Sequence, residues 1–436
     1  MQKKLILTIV LLSYFVTAID ASIVTTGLTM IKSDLNLNQV SLSWLQNAYL
    51  LAFGGMVLLG GRLGDLVGRK RIFILSLALF GIGSLFAGIS QEATLMILAR
   101  FIQGIGAAIL APTSLALLMD NFEGPERIKA IAWYSSVSGI GTSVGMVLGG
   151  FLASTLSWRY GFFINIPLTI FMIIVAIKAL ETQSIKKERY DVWGSLFSIL
   201  GLFALVYSIN GAKNILLWFI LALILLTTFI IIEAKVKKPM MPLSLFTDRS
   251  RVIAYLVRAM FVGSMMGYFF FAAEFLQGVL HYSPLMTGFA FFPLTFCTFI
   301  AALKVPAMVD KHGNKNTLLL GMIFLVLGFS LIILMSGLRG FWVNIGIPSI
   351  LLGFGQGFAM SPLTNLGIQG ASREDSGAAS GLVNAAHQIG GSIGISIMVA
   401  LTAQYTATST IFKFAMIIGL IINIIGLIIS FIVDSK

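Results

Sequence analysis

Apolar segments of roughly 20 residues follow one another along this chain, and each is long enough to cross a hydrocarbon core about 30 Å thick as a helix. Inside such a core water offers the backbone no hydrogen bonds, so every N–H and C=O group must be satisfied within the protein. Helices do this within a single segment. The chain is therefore predicted to be an all-α membrane protein.

The sequence contains fourteen of these segments. They cover residues 5–27, 43–61, 72–90, 94–118, 129–153, 159–178, 191–210, 214–233, 252–278, 284–304, 316–336, 340–363, 377–403 and 412–432. Hydrophobic residues make up 58% of the chain and charged residues only 11%, whereas soluble domains carry about 25% charged residues. This composition excludes an ordinary soluble domain.

The positive charges are distributed unevenly between the two sides of such a bundle. With fourteen segments both chain ends lie on one side, and the loops of that side take most of the 29 Lys and Arg residues. The other side holds Lys32, Arg159, Lys213, Arg339 and Lys413, while Arg100 and Arg258 lie within segments. Because cytoplasmic loops are enriched in Lys and Arg, both termini are predicted to be cytoplasmic. The net charge of +12 then leaves no basic surface for nucleic acid.

No pattern in the sequence is typical of an enzyme or of a metal site. The single cysteine, Cys297, lies within an apolar segment, and no paired-Cys or His-rich spacing occurs. The sequence also lacks a GxxxxGKS/T phosphate loop, so this chain by itself is not expected to use ATP. We predict no metal and no cofactor.

A short basic loop separates the second and third segments. It reads Gly-Arg-Leu-Gly-Asp-Leu-Val-Gly-Arg-Lys-Arg from Gly61 to Arg71, and it combines glycines with the carboxylate of Asp65 and three adjacent cations. This pattern resembles the signature loop between the second and third helices of the major facilitator superfamily. The resemblance implies two six-helix bundles related as parallel repeats, with a substrate cavity between them.

Two short internal sequence repeats, which we call echoes, agree with such a duplication. The spacing of Asp65 to Gly68 recurs 245 residues later as Asp310 to Gly313. The stretch from Gly104 to Pro112 recurs as Gly355 to Pro362, at an offset of 250 to 251 residues. Segments 1 to 6 and 9 to 14 are therefore interpreted as related halves.

The seventh and eighth segments are interpreted as an inserted pair. The predicted domains are an N-terminal six-helix bundle over 1–180, a linker with two extra membrane helices over 181–250, and a C-terminal six-helix bundle over 251–436. This organisation, together with the stretch from Trp158 to Pro167, resembles the drug:proton antiporter family with fourteen membrane-spanning helices. That family contains quaternary-ammonium and tetracycline exporters of Gram-positive bacteria.

Three ionisable residues within segments are candidates for proton coupling. Asp20 lies in a stretch similar to the family's first-helix motif, and a carboxylate at membrane depth is costly in its charged form, so it is expected to gain and lose a proton. Arg100 begins an Arg-Phe-Ile-Gln-Gly-Ile-Gly stretch that resembles the family's fourth-helix motif, which implies a role in proton movement. The imidazole of His387 belongs to a side-chain type that titrates near pH ~6.5. Structural roles are the alternative: an Asp20–Arg100 pair, an arginine bonded to backbone carbonyls, or a histidine bonded to a neighbour.

A second set of residues resembles the family's conformational gate. It comprises Gly61, Asp65, Gly68 and Arg69 of the loop, Asp120 at the end of the fourth segment, and Gly141, Gly145 and Gly149 of the fifth. The resemblance implies that the charged members make contacts in one conformation and break them in another. The three glycines of the fifth segment give a smooth helix face, and ordinary close packing is the alternative. Met146 stands where the family motif has proline, so no kink is expected there.

Residues near the end of the ninth segment are predicted to bind substrate. An intramembrane charge such as Glu274 costs about 2.5–3.5 kcal/mol at mid-depth, which favours a role facing a cavity. Phe271 and Phe275 flank it and can offer aromatic faces to a cation. Gln277 lies in a stretch similar to a family segment, and Gln103 shares a helix face with the arginine of the fourth segment. Alternatively, Glu274 reaches headgroup water or pairs with a neighbouring helix.

The resemblance implies proton-coupled export of amphipathic, cationic drugs or dyes by alternating access across the cytoplasmic membrane of a bacterium. The expected partners are a small-molecule substrate, protons and membrane lipid, and the chain is expected to be a monomer. Two alternatives are open. One is an exporter of a metabolite or lipid-like molecule with the same fold, and the other is a membrane receptor or scaffold that does not transport.

Overall fold

The structure is a computed structural model, and it describes residues 2–181, 192–236, 239–336, 340–372 and 375–433. Within these ranges every regular element is helical. The first helices are α1 Gln2–Asp34, α2 Gln39–Val67, α3 Arg69–Ile89, α4 Ala93–Asn121, α5 Gly124–Thr155, α6 Arg159–Phe163, α7 Asn165–Ala179, α8 Val192–Ile209 and α9 Ile215–Lys235. They are followed by α10 Arg249–Gly278, α11 Pro284–Ala290, α12 Phe292–Leu334, α13 Ile347–Ile368, α14 Ser376–Thr402 and α15 Thr408–Ser430.

Eleven helical stretches of the described residues are long and apolar enough to cross a membrane. One of them, Pro284–Leu334, holds two crossings because the chain turns at Gly313, whose φ of 79° and ψ of 166° are not helical. Two shorter apolar helices, Ile140–Thr155 and Trp193–Ile209, add the remaining crossings. The predicted all-α membrane fold is confirmed, and its helices accommodate the fourteen predicted segments.

Local sequence explains where several helices begin. Asn38, Asn214 and Asp248 each accept a hydrogen bond from a backbone N–H in the first turn of α2, α9 and α10. Ser283 caps α11 in the same way, and Pro284 follows at a position where no N–H partner is needed.

The helices pack into two groups. In the first, α1 contacts α4, α5 and α7, while α2 and α3 contact α4. In the second, α10 contacts α13, α14 and α15, while α12 contacts α13 and α15. We call these groups the N-terminal half and the C-terminal half. They meet where α2 contacts α14, α5 contacts α11, and α1 contacts α10.

The two ends of the bundle differ in their turns. We call the end with the start of α1 and the turns at Gly68 and Gly313 the chain-end face, and the end with the α1–α2 and α10–α11 turns the far face. On the chain-end face Lys3 pairs with Glu126 at 3.0 Å, which joins the starts of α1 and α5. The orientation of these faces to the cytoplasm stays a prediction.

Corresponding turns of the two halves share an unusual backbone conformation. Gly68 has a φ of 95° and Gly313 a φ of 79°, a region that is open mainly to glycine. The first internal echo is therefore matched by the structure.

In the second internal echo, the structure pairs the glycines of the two halves differently from the sequence comparison. Gly104 packs so closely on α2 that a Cβ would lie 2.4 Å from the carbonyl O of Tyr49, and Gly353 packs on α12 with 2.3 Å to the carbonyl O of Leu294. Tyr49 and Leu294 are themselves 245 residues apart, as in the first echo. Gly104 thus corresponds to Gly353 rather than to Gly355, because glycine spacing alone does not fix which glycine faces which helix.

The inserted helices α8 and α9 pack on each other, and α8 contacts both halves through α2 and α14. Trp44 Nε1 donates to the Asn210 carbonyl at 3.1 Å, and Asn210 Nδ2 donates to Ser43 Oγ at 2.6 Å. Ile389 of α14 packs against the same apolar cluster. α9 leaves most of its apolar side chains exposed, as a lipid-facing helix does.

Candidate functional site

A buried ion pair lies within the N-terminal half. Asp20 of α1 is 1% exposed and Arg100 of α4 is 2% exposed. Nη1 of Arg100 donates to Oδ2 of Asp20 at 2.5 Å. Removing either partner of such a pair leaves an uncompensated buried charge.

Amide and hydroxyl side chains complete the surroundings of this carboxylate. Gln103 Nε2 donates to Asp20 Oδ1 at 2.9 Å and to Ser84 Oγ at 2.7 Å. Asn165 Nδ2 of α7 also donates to Asp20 Oδ1 at 2.9 Å. We call Asp20, Arg100, Gln103, Ser84 and Asn165 the Asp20 cluster. Its carboxylate holds α1, α4 and α7 together, and Ser84 adds α3 by accepting from Gln103 and Asn165.

The guanidinium of Arg100 has further contacts. Its Nη1 also donates to Gln103 Oε1 of the same helix at 2.8 Å, and its Cζ lies 5.9 Å from the centroid of the Phe162 ring in α6. Two more contacts are to α2. Its Nε donates to the Leu45 carbonyl at 3.1 Å, and its Cζ lies 4.4 Å from the centroid of the Tyr49 ring. A proton on Asp20 would end the ion pair with α1 and leave these contacts to α2 in place. The cluster can therefore link one protonation event to the position of α1 against its neighbours.

Two members of the cluster have no role in the sequence-based prediction. Asn165 is a buried amide in an apolar helix, and such an amide has to find partners, so its type and position are a usable signal. Ser84 gives no such signal, because serine readily bonds the carbonyls of its own helix, as it does here with Phe80. Gln103, predicted to bind substrate, uses its amide within the cluster instead.

On the chain-end face, Arg69 at the start of α3 is fastened to the end of α4. Its Nη1 donates to the Ala116 carbonyl at 2.6 Å and pairs with Asp120 Oδ2 at 2.5 Å. The pair is partly exposed, so it contributes little energy and can be remade easily. The side chain of Asp65, predicted to share this network, lies outside the described part of the structure.

The close approach of α2 to α4 involves Gly60. A Cβ there would lie 2.4 Å from the Ala108 carbonyl O, whereas a Cβ on Gly61 would be 3.9 Å from Pro112. Gly61 has room for a larger residue in this conformation. Its part in the gate stays a prediction.

The glycines of α5 seat that helix on α1. Cβ atoms on Gly141, Gly145 and Gly149 would lie 2.7 to 2.9 Å from atoms of α1, which is too close for a larger residue without movement. The contact of Gly145 is with the Cα of Ile19, directly before the buried carboxylate. Close packing of this stripe is thus observed, and any sliding of the two helices remains a prediction.

α5 is continuous through Met146, as expected where proline is replaced. A Cβ on Gly288 of α11 would lie 2.4 Å from the Met146 carbonyl O, and a Cβ on Gly150 would lie 2.4 Å from the Pro284 carbonyl O. This unbroken helix therefore carries a tight backbone contact between the two halves, toward the far face.

Glu274 of α10 is bonded to the N-terminal half. Lys32 Nζ at the end of α1 donates to Oε1 at 2.8 Å, and Gln39 Nε2 at the start of α2 donates to Oε2 at 2.5 Å. The carboxylate is 6% exposed and already has a cation of the chain beside it. In this conformation it joins the halves and does not face an open site.

Gln277 adds to the same junction. Its Nε2 donates to the Thr26 carbonyl at 3.1 Å, and the Thr29 hydroxyl donates to its Oε1. We call Lys32, Gln39, Glu274, Gln277 and Thr29 the far-face junction. Its bonds connect α10 with α1 and α2, so separation of the halves on this face must break them.

The two phenylalanines predicted to bind substrate lie inside the C-terminal half. Phe271 is 1% exposed and packs edge-on against Phe270 at 5.0 Å, and Phe275 stacks on Phe412 of α15 at 4.5 Å. These contacts support α10 against its own neighbours. A role in binding substrate finds no support in this conformation.

His387 lies on α14, in the C-terminal half. It is close enough to Arg258 of α10 to interact electrostatically, and its Nδ1 is buried without a hydrogen-bond partner. Of the three predicted proton-coupling residues, the structure brings Asp20 and Arg100 together and places His387 in the other half.

Two helical halves that are joined by contacts toward the far face, with a sealed charge cluster in one of them, fit a helical membrane transporter. The Major Facilitator Superfamily model matches residues 10–395. The chain belongs to this superfamily.

Relatives with described functions are similar over most of the chain. The puromycin resistance protein pur8 of Streptomyces alboniger is 32% identical over 400 residues, which cover 89% of this chain and 80% of that protein. The multidrug transporter protein MdtP of Bacillus subtilis strain 168 is 29% identical over 404 residues, covering 90% and 74%. The solved peptide transporter POT in complex with sulfate shares the fold, with a TM-score of 0.73 at 15% identity and coverage of 98% and 94%.

Proposed function

We propose that this chain exports amphipathic, cationic drugs or dyes across a bacterial cytoplasmic membrane in exchange for protons. The similar proteins are named for puromycin resistance and multidrug transport, which supports drugs as the cargo. The observation that carries the proton coupling is the buried pair of Asp20 and Arg100. A carboxylate sealed from water changes its charge only together with its surroundings.

In the proposed cycle a proton that reaches Asp20 neutralises the carboxylate and ends its attraction to Arg100. The guanidinium keeps its contacts to Leu45 and Tyr49 of α2, so α1 and α2 respond differently to the same proton. Release of the proton restores the pair. Substrate that binds one arrangement better than the other shifts the equilibrium between them.

Alternating access requires the far-face junction to open when the chain-end face closes. The bonds of Glu274 to Lys32 and Gln39 are formed here, and we expect them to break as the halves part. The Arg69–Asp120 pair fastens α3 to α4 on the chain-end face, and we expect it to change partners in the same transition.

We further propose that both termini are cytoplasmic, that the chain works as a monomer, and that its domains are 1–180, 181–250 and 251–436. The excess of Lys and Arg in the chain-end loops supports this orientation. In a Cys297→Ser background, we expect a membrane-impermeant maleimide to label Asn36→Cys on the far face of intact cells and not His312→Cys on the chain-end face. The opposite labelling pattern contradicts the orientation.

A direct test of export uses everted membrane vesicles. We expect dye accumulation that depends on an imposed proton gradient and is lost with an uncoupler. A resistance panel in an efflux-deficient host then identifies the cargo. Dye accumulation that does not depend on the gradient contradicts proton coupling. If no drug is accumulated in vesicles and the protein confers resistance to none, drug export is contradicted.

A further inference from the structure

Arg258 of α10 is a buried cation whose guanidinium is only partly satisfied. The side chain is 5% exposed. Its Nη1 donates to the Met360 carbonyl at 2.9 Å and approaches Thr364 Oγ at 3.4 Å, while its Nε is buried with no partner. None of the ion pairs found among the described residues includes Arg258. A buried charge normally has an opposite charge beside it, as Arg100 has in the other half.

A second unsatisfied polar atom lies near this guanidinium. His387 is within electrostatic range of Arg258, and its Nδ1 is also buried without a partner. Helices α10 and α14 touch close to these two residues, since a Cβ on Gly390 of α14 would lie 2.3 Å from the Cα of Ala259 in α10. Both side chains can donate hydrogen bonds, so together they suit a ligand that accepts them.

These two side chains lie at the boundary between the halves. Tyr14 of α1 is within electrostatic range of Arg258, and its ring stacks on that of Tyr134 of α5, with centroids 4.4 Å apart. Tyr14 and His387 are both partly exposed. A stacked aromatic pair of the N-terminal half therefore lies, through Tyr14, within electrostatic range of the Arg258 guanidinium in the C-terminal half.

We propose that Arg258 and His387 bind the anionic group of an amphipathic aromatic substrate, whose apolar part packs on Tyr14 and Tyr134. A carboxylate suits this site because its two oxygens can accept from a guanidinium and an imidazole together. It would also supply the counter-ion that Arg258 lacks. This inference rests on the proposed export function and widens its cargo to amphipathic carboxylates and zwitterions.

A purely mechanical role for Arg258 would be to fasten α10 to α13 through Met360 and Thr364. That role uses Nη1 alone and leaves a permanently charged group buried without compensation. The two roles differ in how ligand binding depends on the charge of the ligand. A fastener supports every ligand equally, whereas an anion site distinguishes a carboxylate from its neutral analogue.

The experiment measures equilibrium binding of three dyes to the purified full-length protein. The dyes share one dansylaminoundecyl skeleton and end in a carboxylate, a primary amide or a trimethylammonium group. We expect Arg258→Gln to weaken binding of the carboxylate dye by about tenfold or more, the range of a charge-assisted hydrogen bond, and to leave the other two nearly unchanged. His387→Leu should act in the same direction with a smaller effect.

Two variants serve as controls. Thr364→Val removes the Thr364 hydroxyl near Arg258 and should keep the preference for the carboxylate. Arg127→Gln removes a guanidinium that bonds the carbonyls of Phe122 and Met119 on the chain-end face, and it should leave all three affinities unchanged.

Several results overturn the anion site. They are an equal loss for all three dyes in Arg258→Gln, an unchanged carboxylate affinity, and a wild-type protein that does not bind the carboxylate dye. Export is measured separately in vesicles. A protein that exports drugs but shows one of these results keeps its function and loses this site, whereas one that binds the carboxylate dye and exports nothing contradicts the proposed function.

Discussion

At the scale of single residues, Asp20 has all of its hydrogen bonding supplied by the chain. Its carboxylate accepts from Arg100, Gln103 and Asn165 in a site closed to water. Asparagine has nearly the same volume and cannot exchange a proton. The Asp20→Asn substitution therefore removes the ionisable group while nearly keeping the volume of the side chain.

We expect Asp20→Asn to abolish gradient-driven efflux while the amount of protein in the membrane stays the same. The melting temperature in detergent should fall, because Arg100 loses its counter-ion. Dye accumulation in everted vesicles gives the activity. Asp34→Asn is a matched control, because Asp34 is an acidic residue of the same helix that pairs with Arg159 on the far face. Wild-type pumping by Asp20→Asn shows that the coupling residue lies elsewhere.

Glu274 can act as a ligand for cationic cargo or as part of the far-face junction, and one substitution separates these roles. If the carboxylate binds cargo after the junction opens, Glu274→Gln reduces export of permanently cationic dyes and spares neutral substrates. We expect this selective loss. Paired transport assays with the two dye classes provide the measurement, and an equal effect on both classes leaves Glu274 as a junction residue only.

At the scale of helices, the contact of α5 with α1 depends on the absence of side chains. A Cβ on Gly145 would lie 2.8 Å from the backbone Cα of Ile19, next to the buried carboxylate. Backbone cannot rotate away as a side chain can. Movement of α1 relative to α5 therefore disturbs the Asp20 cluster as well.

We expect Gly145→Ala to destabilise the folded protein by about 1–3 kcal/mol through overpacking. The matched control is Gly377→Ala, because a Cβ on Gly377 of α14 meets nothing within 4 Å. Thermal unfolding in detergent compares the two variants. Equal melting temperatures for both would mean that α5 and α1 are not tightly seated.

The start of α3 gives a second prediction for helices. Arg69→Ala removes the link to Asp120 and to the end of α4 on the chain-end face. We expect turnover to slow more than substrate affinity falls, because the link lies outside the boundary where the halves meet. Binding to purified protein and transport in vesicles are measured side by side. A large loss of binding with a normal transport cycle contradicts a gating role for Arg69.

At the scale of the whole molecule, the far-face junction decides whether the halves can part. In a Cys297→Ser background, we expect a reducible bifunctional methanethiosulfonate cross-linker that bridges Lys32→Cys and Glu274→Cys to stop export of a neutral substrate, and reduction to restore it. The control pair Ser13→Cys/Ser114→Cys joins α1 to α4 within one half, where the two hydroxyl oxygens are 2.8 Å apart. Cross-linking of that pair should leave export intact. Export through a fully cross-linked junction would rule out opening on this face.

Part of this architecture can be predicted from the sequence, and part of it cannot be predicted. The helices and the left-handed turns at Gly68 and Gly313 are predictable because hydropathy and glycine spacing act locally along the chain. The partner of Glu274 is not, since Lys32 lies 242 residues away and meets it only through the packing of the two halves. The same limit applies to Asn165, whose amide is visible in the sequence while its acceptor is not.

The sealing of Asp20 inside one half, away from the boundary between the halves, has an electrical consequence. Proton and cargo need not compete for one carboxylate, so the same proton can be exchanged for cargo of different charge. One proton exchanged for a monovalent cation moves no net charge, and such export follows the pH gradient alone. Exchange for a neutral molecule moves one positive charge inward and exchange for an anion moves two. Each charge moved adds about 2.3 kcal/mol of driving force per 100 mV. Collapse of the membrane voltage with valinomycin and potassium should therefore slow the export of anions most and of cations least.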